Sequence, residues 1–323
     1  MSRQVKKKKQ TKNKLIIVLV MIAVLVALFT WHPVINRDPD VRVVGYLPTW
    51  YYECYKDIDY DVLTDVTIAF INPNSEGNLS SGIPDDALKK VIKKAHRKHV
   101  NVNAALGGGN GYANYTELTK DKKSIREFDK KIVKYLDEYD FDGVDINIEG
   151  DVEPEFWDNY DYWIKDLSKR CGKKKVSCAI ASWFDQYISD DTLDRFDYIS
   201  VMAYDNKSSG ENPATYNYAA GMIEHFAENR GVPKDKLLLG IPFYGYRYRN
   251  NVCTGEVVTY NEIATYNKGS ENSDASGTCR YNGIDTVKAK TKLGLEYGGV
   301  MVWSLGQDAS GRKSLLKAIG DTL

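Results

Sequence analysis

Residues Phe141 to Glu149 read FDGVDINIE, and from Val144 onward apolar and acid or amide residues alternate. In a β-strand, successive side chains point to opposite faces. Val144, Ile146 and Ile148 then share one face, and Asp145, Asn147 and Glu149 share the other. The result is one column of two carboxyls and an amide, ending in a glutamate. If that column is enclosed, the glutamate holds its proton to unusually high pH, as a general acid working near neutrality requires. The same pattern, met alone, also describes an amphipathic strand with its polar side in water. The rest of the chain has to decide between the two.

Eight short runs of β character follow one another: 41–47, 65–71, 101–106, 143–148, 175–181, 197–203, 237–242 and 298–303. Between most of them lie stretches of helical period. Ala87, Val91, Ile92 and Ala95 make one apolar stripe. Ile125, Phe128, Ile132 and Tyr135 make a second, and Phe156, Tyr160, Trp163, Ile164 and Leu167 a third. Spacings of three and four mark amphipathic helices that cover a sheet. A final helix is expected from Lys313 to Ile319. Strands alternating with helices argue for an α/β fold with parallel strands and right-handed crossovers, most simply a single (β/α)₈ TIM barrel over 41–323. A doubly wound open sheet would carry a Gly-rich phosphate turn after its first strand. Here Pro48-Thr49-Trp50-Tyr51-Tyr52 stands there instead. The Gly107-Gly108-Gly109 cluster after the third run lacks the lysine and hydroxyl of a P-loop. It reads as a strand-end turn that keeps a cleft open.

In such a barrel the C-terminal ends of the strands build the site. Those ends carry Tyr46, Trp50, Asp145, Asn147, Glu149, Trp183, Met202, Tyr204, Asp205, Tyr244, Tyr246, Arg247 and Trp303. Aromatic rings and acids collected on one face suit a sugar polymer: rings stack on pyranose faces and carboxyls bind hydroxyls.

Composition narrows the alternatives. The 323 residues are 43% hydrophobic and 27% charged, with 44 basic and 44 acidic residues. The first 14 residues hold seven Lys/Arg and no acid, so the remainder is net acidic. That remainder offers no basic patch for a nucleic-acid backbone. Leu15 to Trp31 is uncharged and lies at the lower edge of membrane-spanning length. With a lysine-rich flank it is expected to run N-terminus in and Leu323 out. It would act as an uncleaved signal anchor or as a cleaved signal peptide, and either exports the rest. Residues 32–40 read as a linker. Export permits disulfides among Cys54, Cys171, Cys178, Cys253 and Cys279, with Cys253–Cys279 the preferred pair and Cys171–Cys178 a second possibility. Their spacings suggest no zinc site. No metal or organic cofactor is implied, and a monomer is expected.

Five motifs together resemble the chitinase-type glycoside hydrolases of family 18, over nearly everything from Val41 to Leu323. Asp142-Gly-Val-Asp145-Ile-Asn147-Ile-Glu149 resembles the family's Asp-x-x-Asp-x-Asp-x-Glu. Ala105-Leu106-Gly107-Gly108 is similar to its strand-three Ser-x-Gly-Gly. Met202-Ala203-Tyr204-Asp205, Gly240-Ile-Pro242-Phe-Tyr244-Gly245 and Gly298-Gly299-Val-Met301-Val-Trp303-Ser304 are similar to its endings of strands six, seven and eight. The resemblance implies a partner glycan containing N-acetylglucosamine: a chitin oligomer, a peptidoglycan strand or an N-glycan core. It implies retaining hydrolysis assisted by the substrate's own 2-acetamido group, an exception to the two-carboxylate scheme. Glu149 would be the acid and then the base. Tyr204 and Asp205 would hold the acetamido group or the distorted ring, and Trp303 would floor the cleavage point.

One position departs from the motif. The family's middle aspartate, which steadies the cationic intermediate, is Asn147 here. An amide oxygen can accept the acetamido N–H but supplies no negative charge. The expected consequences are altered catalysis that favours transfer to a sugar acceptor, or a nearly inactive carbohydrate-binding surface protein. The segment from Tyr244 to Tyr297 is expected to be a shorter α+β insertion than deep-cleft members carry. A shallower cleft follows, suited to internal cuts or short and branched substrates.

Overall fold

The computed structural model describes residues 41–109, 113–149, 154–207, 212–266 and 268–323. Eight parallel strands close into a barrel: β1 Arg42–Pro48, β2 Asp65–Ala69, β3 Asn101–Gly108, β4 Gly143–Ile148, β5 Lys175–Ile180, β6 Ile199–Val201, β7 Leu237–Pro242 and β8 Gly299–Trp303. They pair in sequence order, and β8 closes onto β1 with Arg42 opposite Gly299. All eight fall where the apolar runs predict them. Valine and isoleucine dominate because these strands are buried on both faces, one against the lumen and one against the helices.

Every residue of β4 is buried, so its polar face does not meet water. Tyr46 of β1 reaches across to Asp145, although β1 and β4 are not neighbours in the barrel. The acid–amide column therefore points into the lumen. Below it, Arg42 pairs with Asp65 at 3.0 Å and lies over the Tyr198 ring at 4.8 Å, and Asn103 Nδ2 donates to the Tyr198 hydroxyl at 3.0 Å. These contacts close the N-terminal end of the lumen with polar groups, of which Asn103 Oδ1 stays without a partner.

The covering helices follow the apolar stripes with small shifts. In Asp85–His96 the buried face uses Leu88 rather than Ala87, together with Val91, Ile92 and Ala95. In Lys122–Tyr139, Leu136 is buried and Tyr135 only half-buried. The third stripe crosses two helices, Pro154–Asp158 and Tyr160–Cys171. The last helix is Leu315–Gly320, starting two residues after the expected point because Ser314 caps it, accepting from Lys317 N–H.

Between β7 and β8 stands an α+β insertion. Its antiparallel sheet runs Val252–Thr259, Tyr244–Arg249, Cys279–Arg280, Ala275–Ser276, followed in the chain by helix Ile284–Gly294. The preferred Cys253–Cys279 bridge does not form. Cys253 pairs with Tyr248 on one side of the central strand and Cys279 with Arg247 on the other. Two strand spacings come to roughly 9–10 Å, beyond the reach of a disulfide. All five cysteines are free thiols, so neither Cys253–Cys279 nor Cys171–Cys178 is bridged.

The basic tail 1–14, the apolar segment 15–31 and the linker 32–40 lie outside the described residues. Among the described residues, no helix is long and apolar enough to cross a membrane.

Candidate active site

A cavity of about 470 Å³ opens at the C-terminal ends of the barrel strands. Asn147 and Glu149 rise into it from β4, and Met202, Tyr204 and Asp205 from the end of β6. Tyr244 comes from the insertion, Trp303 from β8, Trp50 from the segment after β1 and Gly107 and Gly108 from β3. Asp145 and Tyr46 lie directly beneath, both essentially inaccessible.

The column runs from a fully buried base to a half-buried mouth. Asp145 accepts from the Tyr46 hydroxyl at 2.7 Å and from Ser177 Oγ at 2.6 Å. Burial pushes its carboxyl up to about 6, against the pull of those two donors. Asn147, next up, is 2% exposed, and its Oδ1 has no hydrogen-bond partner. Its amide N–H donates instead to Glu149. Glu149 is pushed up to about 7, first by burial and then by the charge of Asp205, while the Asn147 hydrogen bond pulls the other way. A carboxyl that titrates near neutrality thus stands beside a buried amide oxygen with no partner.

Asp205 forms the opposite wall. It sits in the left-handed region, with φ 67°. Its Oδ1 accepts from two phenols of the insertion, Tyr244 at 2.6 Å and Tyr246 at 2.8 Å. Those contacts tie the insertion to the barrel at the point where chemistry would occur. Tyr204 is buried, its hydroxyl 3.9 Å from Met301 Sδ, and burial raises it well above the usual phenol range. It is a neutral donor at any physiological pH. The floor is Trp303, stacked on Phe70 and tilted against Tyr46, each at 5.6 Å between ring centroids.

Residues 42–308 match the sequence model of glycosyl hydrolases family 18. The chain belongs to that family. A probable chitinase 2 of Drosophila melanogaster is 24% identical over 65% of the chain and 51% of its own length. An endochitinase of Manduca sexta is 26% identical over 80% of the chain and 55% of its own. The chain spans about half the length of these two relatives. A solved family 18 chitinase from the chitin utilisation locus of Flavobacterium johnsoniae superposes with a TM-score of 0.80 at 29% identity, covering 87% of this chain and 93% of that one.

Of the residues singled out from the sequence, Asp145 and Tyr46 lie beneath the cavity and Tyr246 behind Asp205, while Trp183 and Arg247 take no part in this family 18 site. Trp183 is 47% exposed, with its ring against Phe184. Arg247 is exposed and ion-paired with Glu256 at 2.6 Å. Tyr244, Tyr246 and Tyr248 share one face of their strand, so the alternation places Arg247 on the other. Three residues that line the wall were not singled out: Thr49, Phe70 and Asn72. Asn72 is the most informative of them. Its Oδ1 accepts from Gly107 N–H at 2.7 Å and from the Tyr115 hydroxyl at 2.9 Å, and its Nδ2 donates to Gly107 C=O at 2.8 Å. It clamps the end of β3 as a third strand would. An Asn before a Pro reads as a turn, which hides this role.

Gly107 itself adopts φ 109°, and a Cβ there would sit 2.1 Å from the Asn147 carbonyl oxygen. Gly107→Ala is therefore expected to destabilise the chain by about 2 kcal/mol or more, read as a fall in urea midpoint. An unchanged midpoint would show that β3 and β4 can part without cost.

The raised Glu149 also has a thermodynamic consequence. Between its ordinary 4.5 and its folded value of about 7, the folded chain binds the extra proton. Stability falls as pH rises through that window, and the whole penalty is present above it. Glu149→Gln removes the titration. The variant is expected to exceed wild type by about 1–2 kcal/mol at pH 8 and to equal it near pH 4, the magnitude discounted for partial solvation. Parallel stability curves for the two proteins would contradict the assignment.

Among the described residues, no group of three or more His, Cys, Asp or Glu is arranged to hold a metal ion.

Proposed function

We propose that the chain hydrolyses β-1,4 bonds adjacent to N-acetylglucosamine, with chitin-type oligosaccharides as the substrate class. The carrying observation is the pairing of Glu149, raised toward neutrality by burial, with the unpartnered Asn147 Oδ1 at one cavity floored by Trp303. Glu149 donates its proton to the glycosidic oxygen as the bond to the anomeric carbon breaks. The substrate's acetamido oxygen attacks that carbon from the opposite face and closes a five-membered oxazolinium ring. Asn147 Oδ1 accepts the acetamido N–H, which orients the group for attack. Asp205 and Tyr204 hold the distorted sugar, and Asp145 anchors the column beneath. Glu149, now ionised, removes a proton from water. That water opens the ring with net retention and returns Glu149 to its acid form.

Asn147 supplies orientation without charge, so the oxazolinium ion is less well stabilised than beside a carboxylate. A longer-lived or costlier intermediate favours capture by a sugar hydroxyl over water. The same substitution supports a second reading, a lectin-like surface protein that binds the glycan and barely turns it over. The basic, apolar N-terminus supports placement outside the membrane, tethered by 15–31 or released after it.

Both readings are separated by release of nitrophenol from a chromogenic chitotrioside, followed alongside calorimetric binding of the unlabelled trisaccharide. Turnover with retained anomeric configuration supports the hydrolase. Binding without turnover supports the lectin, and neither binding nor turnover removes both.

A further inference from the structure

Lys290 lies on the inner stripe of helix Ile284–Gly294, with Val287, Thr291 and Gly294. Its side chain is completely buried, which lysine rarely tolerates without a partner of opposite charge. Both acceptors it reaches are neutral: Ala214 C=O and Asn282 Oδ1, each at 2.7 Å. The nearest helpful charge is Asp274, itself engaged by Gly283 N–H at 2.8 Å and Thr286 Oγ1 at 2.6 Å. Burial outweighs it and pushes the ammonium down to about 7. A methionine would fill similar space without that desolvation. The polar head is thus spent on holding one backbone carbonyl, and the location of that carbonyl matters.

Ala214 also accepts from Asn282 Nδ2 at 2.8 Å, and its own N–H donates to Asn212 Oδ1 at 3.0 Å. Asn212 Nδ2 donates to Tyr281 C=O. One residue before Ala214, Pro213 C=O accepts from Asn206 N–H at 2.9 Å. Asn206 directly follows Asp205, the acid held at φ 67° against Tyr244 and Tyr246. A left-handed backbone at a non-glycine residue persists only where its surroundings over-determine it. Asp205, Pro213, Ala214, Tyr244 and Tyr246 line one small gap, so the pinned carbonyl and the acid are packed together.

We propose that Lys290 is a positioning residue for Asp205: it fixes the Pro213–Ala214 backbone, and the Asn206–Pro213 bond passes that constraint to the acid in the cavity wall. The inference rests on the hydrolase reading for its kinetic part alone.

The test is a double-mutant cycle in the full chain, with amide exchange as an arm independent of activity. Lys290→Met is expected to lower kcat/KM on a chitotrioside about tenfold in the wild-type background and less than about twofold in Asp205→Asn, because the two act as one unit. The Asn206 amide is expected to exchange at least about tenfold faster in Lys290→Met, with β3 and β4 amides unchanged. Equal kinetic losses in both backgrounds would overturn the proposal, since a generally loosened barrel acts additively. Unchanged exchange at Asn206 would overturn it as well. If wild type turns over nothing, the hydrolase reading fails, and the exchange arm still decides whether Lys290 holds this backbone.

Discussion

Glu149→Gln is expected to lower kcat on a chromogenic chitotrioside by ~10³-fold or more, with KM changed by less than about threefold. Glutamine keeps the length and the hydrogen-bonding shape of the side chain but has no proton to give. Glu149 serves twice in the cycle, as acid toward the leaving oxygen and as base toward water, so no step is spared. Binding is spared because Trp303, Asp205 and the Tyr244 phenol are untouched. The wild-type rate is expected to fall as pH rises through about 7, where Glu149 loses its proton. The residual rate of the variant is expected to lack that limb. A variant retaining more than about a tenth of wild-type turnover would assign the acid elsewhere.

Asn147→Asp is expected to act in the opposite direction, raising hydrolysis by ~10²-fold. A carboxylate at this buried position places negative charge beside the oxazolinium ion, and one preorganised electrostatic contact is worth about 2.7–4 kcal/mol elsewhere. The change has a second signature. Asn147 now donates to Glu149 and pulls its value down. An aspartate removes that donor and adds a like charge, so the alkaline limb is expected to move to higher pH. Rate gain and limb shift should appear together, and the ratio of transfer to hydrolysis should fall. A variant slower than wild type would mean that the amide's orientation, rather than charge, governs this site.

Much of the site was legible because β4 states its own geometry. Alternation from Val144 to Glu149 fixes which side chains share a face, and burial of all six strand residues makes that face a lumen. Met202, Tyr204 and Asp205 follow the end of β6 and reach the same mouth, although period two alone would set Asp205 on the side opposite Tyr204. Legibility fades where the strand stops. Trp183 follows β5 beyond the last ladder residue, where period two no longer dictates direction, and its ring turns outward. Phe70 continues an apolar run, and only closure of β8 against β1 and β7 brings Trp303 onto it. Lys290 was hidden among the neighbouring lysines at 288 and 292, although its spacing from Val287 and Gly294 sets it on the buried stripe. The cysteines misled because closeness along a loop says nothing of an intervening strand.

Substrate assistance is tested most directly by altering the nucleophile on the sugar. Nitrophenyl chitobiosides carrying N-acetyl or N-trifluoroacetyl at the reducing-end unit differ little in size, but fluorine withdraws electrons from the attacking oxygen. The wild-type protein is expected to cleave the trifluoroacetyl substrate slower by ~10-fold or more, with comparable KM. Equal kcat on the two substrates would contradict attack by the acetamido oxygen, and with it the role given to the Glu149–Asn147 pair.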